Sequence, residues 1–190
     1  MIGKWQQSCG LEYEEVEQEC KKVNNGFVGV ANYNCPKQII ISGERVAVEK
    51  AMELLKEKGA KRAIELKTSG PFHTIKLKDA SDKLRKELEN VDIKYNDEIK
   101  VIKNIDAREY KKEDDIKDIL AKHIISPVRF KETIDYMIEN GVDTFVEIGP
   151  GKVLSGFVKK ISRDVKVYNI NDVSSLKETI EILKKEENDE

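Results

Sequence analysis

The sequence predicts an α/β chain in two parts, a small α+β subdomain followed by a partial parallel α/β core. Short runs rich in Val and Ile alternate with stretches whose apolar residues recur at helical spacing. The first elements follow the order β-α-β-β-α-β, which is the ferredoxin-like arrangement. Later strands each alternate with a helix, as in parallel βαβ units. The expected domains are residues 1–67 and 68–190.

In the first part, apolar periodicity and turn residues define each element. A helix is expected over Leu11–Val23 because Val16, Cys20 and Val23 share one face, and a second helix ends at Gly59, a strong helix stop. The opening strand has the weakest support, because Lys4–Cys9 has little β propensity. The predicted strands are Phe27–Asn32, Gln38–Ser42 and Ala63–Leu66, with a turn at Asn34–Pro36 and the second helix over Val46–Lys58.

In the second part, strands and helices alternate after Ser69–Gly70–Pro71. The strand Thr144–Ile148 runs directly into Gly149–Pro150–Gly151, a tight turn that opens a helix. The backbone N–H groups of that turn could also attract an anion. The predicted strands are Ile99–Ile105, Thr144–Ile148 and Val165–Ile170, and the predicted helices are Ala80–Leu88, Asp114–Ile124, Phe130–Asn140, Lys152–Ile161 and Ser174–Lys185.

Composition narrows the classes of function. The 190 residues include 34 basic and 36 acidic side chains, and a net charge of −2 gives no reason to expect a nucleic-acid partner. Cys9, Cys20 and Cys35 have no metal-site spacing and are read as reduced thiols of a cytoplasmic protein. No apolar run approaches the roughly 20 residues that a membrane span needs. We therefore expect no metal site and no membrane partner.

His73 is the candidate for proton transfer. It lies in the loop Ser69–Gly70–Pro71–Phe72–His73, where Gly and Pro constrain the backbone between a strand and a helix. An imidazole that titrates near neutral pH can accept and return a proton within one catalytic cycle. By itself, a histidine in a loop is more often structural than catalytic.

Four separated segments of the sequence add support for a catalytic role of His73. Together they resemble malonyl-CoA:acyl carrier protein transacylases, and the resemblance runs from Leu11 to about Ile161. The segments are Ala31–Gly43, Ser69–His73, Ser126–Phe130 and Val142–Leu154. The resemblance implies that the second part of the chain is the C-terminal portion of an α/β-hydrolase-like acyltransferase core.

The resemblance also implies roles for particular residues. In the family, a serine attacks the malonyl thioester and the histidine that matches His73 acts as its general base. The histidine is oriented by a main-chain carbonyl that falls on His123, where the family usually has Gln. Because only the backbone oxygen of this residue is used, the His123 side chain is read as a surface or packing residue. Asn32, Asn34 and Gln38 match a segment that lines the acyl side of the cleft, although these residues can equally be read as a turn between strands. Phe72, before the histidine, fits the malonyl-type pattern.

The nucleophile is what the sequence lacks. No Gly-x-Ser-x-Gly motif occurs. Ser42, Ser69 and Ser155 each adjoin a glycine on one side only, which does not make the motif. A histidine without its nucleophile cannot perform covalent acyl transfer. In the family, the serine, the oxyanion-hole residues and a malonate-binding arginine lie in a preceding segment.

Three functions are therefore open. The chain is one part of a malonyl-CoA:acyl carrier protein transacylase completed by an N-terminal segment, or part of a polyketide acyltransferase. The third possibility is a non-catalytic domain, either an inactive truncated acyltransferase fragment or a module that binds the carrier protein. The first uses CoA and phosphopantetheine thioesters as substrates and needs no cofactor. A part of a parallel sheet also leaves an open strand edge and an uncovered apolar face, so we expect the isolated chain to self-associate or to be marginally stable.

Overall fold

A computed structural model of the protein describes residues 3–66 and 70–189. The elements follow the predicted order, with one strand, Arg108–Glu109, that was not predicted. The strands are β1 (Gly3–Cys9), β2 (Val28–Cys35), β3 (Gln38–Glu44), β4 (Arg62–Leu66), β5 (Ile102–Lys103), β6 (Arg108–Glu109), β7 (Thr144–Ile148) and β8 (Lys166–Ile170). The helices are α1 (Tyr13–Lys21), α2 (Arg45–Glu57), α3 (Lys78–Glu87), α4 (Ile116–His123), α5 (Phe130–Glu139), α6 (Val153–Ile161) and α7 (Val173–Asp189).

Residues 3–66 form the ferredoxin-like sheet that the element order predicts. Its strands lie in the order β2-β3-β1-β4, and each neighbouring pair is antiparallel. The opening strand forms despite its low β propensity, because its backbone pairs with β3 along one edge and with β4 along the other. Tertiary pairing here overrides local preference.

Helices α1 and α2 cover one face of this sheet and enclose the core. Val16 and Cys20 of α1, and Val48 and Leu55 of α2, are 5% exposed or less. They pack with the inward-facing residues of β2 and β3, among which Ile39 and Ile41 are fully buried. The predicted helical faces are therefore those that make the core. Burial in this setting raises the pKa of the Cys20 thiol to about 12, so this thiol is unreactive at neutral pH.

The turn between β2 and β3 lies later than predicted. The sequence placed it at Asn34–Pro36, whereas β2 continues through Asn34 to Cys35, which pairs with Gln38. The hairpin loop is therefore only Pro36 and Lys37, and Lys37 has a φ of 61°. Proline followed by a residue with positive φ is the pattern of a type II turn.

The strand predicted over Ile99–Ile105 is wrong in extent. Only β5 forms, as a two-residue ladder with β6, and Ile99 and Val101 are 66% and 55% exposed. Lys103 within it is buried, and its ammonium lies 3.0 Å from a carboxylate oxygen of Asp114. Apolar residues favour a strand only where a neighbour can pair with them, and this run pairs over two residues alone.

Backbone contacts divide the chain into two units, residues 1–133 and 134–190. The first holds the ferredoxin-like sheet, α3, α4 and the β5–β6 hairpin. The second contains a βαβ unit, in which β7 and β8 pair in parallel and α6 connects them, followed by α7. The boundary predicted between residues 67 and 68 stays a prediction.

Two classes of feature are absent from the described ranges. No helix within residues 3–66 and 70–189 is both long and apolar enough to cross a membrane. Within the same residues, no group of three or more His, Cys, Asp or Glu side chains is arranged to hold a metal ion.

Gly43 of β3 should not tolerate a side chain. A Cβ atom there would lie 2.1 Å from the carbonyl oxygen of Phe27 and 2.7 Å from the Cα of Val28, both of which are backbone atoms. We expect Gly43→Ala to lower the free energy of unfolding by about 1–3 kcal/mol, as overpacking does. Gly29→Ala in β2 is the matched control, because its Cβ would meet only the Phe27 ring at 3.5 Å. Urea denaturation checks this, and equal midpoints for both variants would contradict it.

Candidate active site

The loop that carries His73 is held in a constrained conformation. Gly70, Pro71 and Thr74 are buried, and the Thr74 hydroxyl donates a hydrogen bond of 2.6 Å to the carbonyl oxygen of Pro71. His73 has a φ of 57°, in the left-handed region that residues with a Cβ rarely adopt. Such conformations persist only where the surrounding structure enforces them, and they concentrate at functional sites. Lys67, Thr68 and Ser69, which precede this loop, lie outside the described residues.

The His73 ring is oriented by a main-chain carbonyl. Its Nδ1 atom lies 3.2 Å from the carbonyl oxygen of His123. A carbonyl oxygen can only accept, so Nδ1 carries the hydrogen and the neutral ring keeps its lone pair on Nε2. The carbonyl is available because His123 is the last residue of α4, where helical carbonyls lack an N–H partner four residues further on.

Two contacts fix the end of α4. The buried hydroxyl of Ser81, in α3, donates a 2.7 Å hydrogen bond to the carbonyl oxygen of Ala121. Beyond the helix, the Val128 N–H donates to the Ala31 carbonyl and the Tyr33 N–H donates to the Val128 carbonyl, each at 2.8 Å. The segment after α4 is therefore paired with the edge of β2, and the ferredoxin-like sheet restrains the carbonyl that orients His73.

Side chains reinforce this pairing at Tyr33. Its hydroxyl donates a 2.5 Å hydrogen bond to a carboxylate oxygen of Glu17 in α1, and the guanidinium of Arg129 lies 5.6 Å from the centre of its ring. Burial and the bond to Glu17 raise the pKa of Tyr33 above its usual value. Arg129 also forms an ion pair with Glu132, with 2.7 Å between nitrogen and oxygen. The neutral phenol thus links α1, β2 and the segment that begins α5.

The His123 side chain also lies beside His73. The two ring centroids are 6.5 Å apart with an interplanar angle of 62°. The Nε2 atom of His123 is buried and has no hydrogen-bond partner in the part of the chain that the structure describes. Burial, and secondly the charge of His73, lower the pKa of His123. Its ring is therefore kept neutral near neutral pH.

The residues predicted to bind substrate lie in two places. Asn32 and Asn34 flank Tyr33 in β2, and Asn32 stands opposite Val128 in the bridge to the segment after α4. The side-chain oxygen of Asn32 is buried with no partner among the described residues, and Asn34 is buried. Gln38 begins β3 and accepts a 3.6 Å hydrogen bond from the Cys35 thiol. Phe72 is 42% exposed, next to His73. The binding roles of all four stay predictions.

A side chain of the protein itself caps the helix that follows the Gly149–Gly151 turn. The Glu147 carboxylate accepts hydrogen bonds from the backbone N–H groups of Leu154 and Ser155, at 3.2 and 2.7 Å, and from the Ser155 hydroxyl at 2.5 Å. It thereby caps the N-terminus of α6, and the hydrogen bonds lower the pKa of Glu147 although desolvation opposes them. Our prediction that this turn could attract an anion omitted Glu147. The sequence signal that could have identified this cap is an acidic residue shortly before a helix N-terminus, where a carboxylate is stabilising.

Sequence reasoning also missed Ser81 and the pairing of Val128 with β2. Neither carries a motif of its own. The Ser81 contact joins residues 40 positions apart, and the Val128 pairing joins residues almost a hundred positions apart. A serine on the polar face of a helix and a valine after a proline have many ordinary explanations, so only the fold identifies these two.

Comparison with known proteins identifies the family to which this chain belongs. Residues 7–185 match the acyl transferase domain family. The chain belongs to this family of acyltransferases. Within it, the chain is 48% identical over 182 residues to the malonyl CoA-acyl carrier protein transacylase of Bacillus subtilis (strain 168), and the match covers 95% of this chain and 57% of that relative. The predicted resemblance is confirmed.

Solved structures confirm the fold class. The malonyl CoA-acyl carrier protein transacylase of Clostridium perfringens superposes with a TM-score of 0.93 and 45% identity, covering 98% of this chain and 58% of that one. A malonyl-transacylase in complex with a type II PKS acyl-carrier protein superposes with a TM-score of 0.88 and 36% identity, covering 92% and 57%. The chain spans little more than half the length of these relatives.

The tautomer of His73 follows from its hydrogen bond. We expect neutral His73 to carry its proton on Nδ1, because the His123 carbonyl can only accept. Long-range ¹H–¹⁵N correlation spectra at pH 8 distinguish the two tautomers by the ¹⁵N shifts of the ring. The chain has two histidines, so His123→Gln assigns the signals. A His73 ring protonated on Nε2 would contradict the geometry.

The lowered pKa of His123 makes stability depend on pH. The folded ring takes up a proton less readily than the unfolded chain, whose His pKa is about 6.5. Its contribution is therefore complete above that pH and is lost as pH falls through the folded pKa. Urea denaturation at pH 8 and at pH about 5.5 should show a smaller decrease for His123→Gln than for the wild type. An equal decrease in both proteins would show that His123 is not the group responsible.

Proposed function

We propose that this chain supplies the general base of a malonyl-CoA:acyl carrier protein transacylase. The observation that carries the proposal is the hydrogen bond from His73 Nδ1 to the His123 carbonyl, in a chain that belongs to the acyl transferase family. The relatives' names supply the substrates, because they are malonyl CoA-acyl carrier protein transacylases. The catalytic roles of His73 and of the His123 backbone are part of this proposal.

The proposed reaction has two half-reactions with one proton shuttle. A serine hydroxyl gives its proton to Nε2 of His73 as its oxygen attacks the malonyl thioester, and CoA leaves as a thiol after taking that proton. A seryl malonyl ester remains. The phosphopantetheine thiol of the carrier protein then gives its proton to Nε2 and attacks the ester, and the serine recovers its proton. The His123 carbonyl stabilises the imidazolium formed in each half, as an oriented acceptor does.

No metal or redox cofactor enters this scheme. A thioester carbonyl is already activated toward acyl transfer, and no atom changes oxidation state. CoA and phosphopantetheine thioesters are substrates and not resident cofactors. Asn32, with its unpartnered buried oxygen, is the best placed of the predicted binding residues, because its strand is paired with the segment after α4. Asn34, Gln38 and Phe72 complete the proposed acyl-binding set, and Phe72 borders the base directly.

The proposed site is completed by polypeptide that is not in this chain. The sequence contains no Gly-x-Ser-x-Gly motif, and the chain covers 57% of its Bacillus subtilis relative. We infer that the serine, the oxyanion hole and a malonate-binding arginine come from a preceding segment, and that this chain alone does not transfer malonyl groups. The carrier protein is the second proposed partner, since one relative was solved in complex with such a protein. A cytoplasmic location is the matching expectation.

A non-catalytic role is the second candidate. The missing nucleophile motif favours it, because a base without a client hydroxyl gives no covalent catalysis. In this case the chain is an inactive module that contacts the carrier protein. The orientation of the His73 ring by the His123 carbonyl favours the catalytic interpretation, since binding of the carrier protein alone does not require a histidine whose backbone is held in the left-handed region.

Covalent labelling separates the two candidates. The chain is mixed with ¹⁴C-malonyl-CoA, alone and with the segment of the Bacillus subtilis transacylase that lies outside its match with this chain. We expect no adduct on this chain alone and a labelled serine on the added segment. His73→Ala should slow the labelling by about 10²–10⁴-fold, the usual contribution of a general base. Lys83→Ala, on the exposed face of α3, is the control.

Three results decide the outcome. An adduct on the chain alone would overturn the inference that the nucleophile lies elsewhere. Labelling at an equal rate with His73→Ala would overturn the role of the base. No labelling of a complex that does form would favour the non-catalytic module. His123→Gln should retain far more activity than His73→Ala, because the proposed role of residue 123 belongs to its backbone.

A further inference from the structure

The two partners of the His73 hydrogen bond lie on different elements. The Nδ1 atom belongs to a loop that leads into α3, whereas the carbonyl that it meets at 3.2 Å is on His123, the last residue of α4. The distance between these two atoms therefore depends on how α3 and α4 are held against each other at this end of α4.

The segment between His73 and α3 is short and internally hydrogen-bonded. The Thr74 hydroxyl donates to the Pro71 carbonyl at 2.6 Å, and the Leu77 N–H donates to the Thr74 carbonyl at 3.0 Å. A short 3₁₀ helix, Ile75–Leu77, then continues directly into α3. The imidazole and α3 are parts of one continuous structure, so a shift of α3 relative to α4 would change the contact of His73 with the carbonyl.

One buried hydrogen bond joins α3 to the end of α4 that carries this carbonyl. The hydroxyl of Ser81 donates to the Ala121 carbonyl at 2.7 Å, and the two residues are 4% and 3% exposed. A serine inside a helix often turns its hydroxyl to a carbonyl of its own preceding turn, whereas this hydroxyl crosses to another helix. Ala121 is two residues before His123, about 3 Å along the helix axis. Ser81 thus binds the turn of α4 that holds the orienting carbonyl.

The last turn of α4 leaves the His123 carbonyl to His73. The N–H groups of Ile124 and Ile125 donate to carbonyls three residues earlier, at 3.2 and 3.1 Å, which tightens the turn as helix ends often do. In a continued helix, the His123 carbonyl would accept a hydrogen bond from the N–H of residue 127. That residue is Pro127, which has no N–H. The ladder of the helix therefore does not compete for the carbonyl.

Two other polar contacts hold the start of α4. The guanidinium of Arg85 in α3 lies 3.4 Å from the carboxylate of Asp115, which caps α4, and the Lys117 ammonium donates to the Glu89 carbonyl at 3.1 Å. Both contacts are exposed, and exposed ion pairs contribute little to stability. Of these three contacts, only the hydrogen bond from Ser81 is both buried and near the carbonyl that orients His73.

We propose that Ser81 is a positioning residue for the transfer reaction. Its hydroxyl fixes the last turn of α4 against α3, and so keeps the His123 carbonyl within hydrogen-bond distance of Nδ1 of His73. Ser81 acts through the backbone of α4. This inference rests on the proposed function for the role of His73 as a base, whereas the tautomer of its ring can be measured without any reaction.

The tautomer of His73 in variants of the chain tests this role. We expect Ser81→Ala to fold, because the Ala121 carbonyl keeps its hydrogen bond from the Ile124 N–H. The ratio of Nδ1-protonated to Nε2-protonated His73 should fall by about fivefold, as expected when one ordinary hydrogen bond is lost. Ser81→Thr keeps the hydroxyl and should keep the wild-type ratio. Long-range ¹H–¹⁵N correlation spectra of the chain itself measure this ratio.

Arg85→Ala is the matched control, because it removes a contact of α3 with the start of α4. This variant should leave the tautomer ratio unchanged, and urea denaturation measures the stability of each variant. A wild-type ratio in Ser81→Ala would overturn the proposal. An equal change in Arg85→Ala would also overturn it, because α3 and α4 would then be loosened as a whole. The same holds for Ser81→Thr behaving as Ser81→Ala does, and for Ser81→Ala failing to fold.

Malonyl labelling separates this inference from the proposed reaction. In the labelling mixture described above, Ser81→Ala should lower the maximal rate by about fivefold. The malonyl-CoA concentration that gives half of that rate should not change, because the hydroxyl orients the base and does not bind substrate. A wild-type maximal rate in Ser81→Ala would support the reaction and contradict the positioning role. A changed tautomer ratio without any labelling would support the positioning of His73 and contradict the proposed reaction.

Discussion

The hydrogen bond between His73 and the last carbonyl of α4 is the constraint on which the candidate site depends. A helix leaves its final carbonyls without intrahelical partners, and here the imidazole satisfies one of them at 3.2 Å. The same contact selects the tautomer with its lone pair on Nε2. In the proposed reaction, a free carbonyl at a helix end therefore takes the place of an acidic triad partner and adds no second charge beside His73.

The position of the His123 carbonyl depends on the position of α4, which carries it. Ser81 restrains α4 from one side, and the pairing of Val128 with β2 restrains the segment that follows it. The ferredoxin-like sheet therefore supports the position of His73. Tyr33 shows the connection most directly, because its N–H binds Val128 while its ring packs within the core.

The sequence predicts elements well where periodicity and stop signals agree. The helix ending before Gly59 and the strand Thr144–Ile148 are nearly as predicted, because apolar spacing and glycine both mark them. It fails where tertiary pairing decides. The run Ile99–Ile105 is apolar but pairs over two residues, and Asn34 belongs to a strand and not to a turn. His73 was found through the four matching segments, whereas Glu147 and Ser81 act through contacts that no local pattern reveals.

The contacts that orient His73 all lie within the first unit. None of them requires a nucleophile, so the imidazole is positioned before any serine is supplied. In an enzyme whose catalytic groups come from separate segments, this arrangement lowers the entropic cost of assembly, because only the serine must be brought to a base that is already fixed. The geometry of the proton transfer then depends on where the added segment places its serine relative to Nε2 of His73.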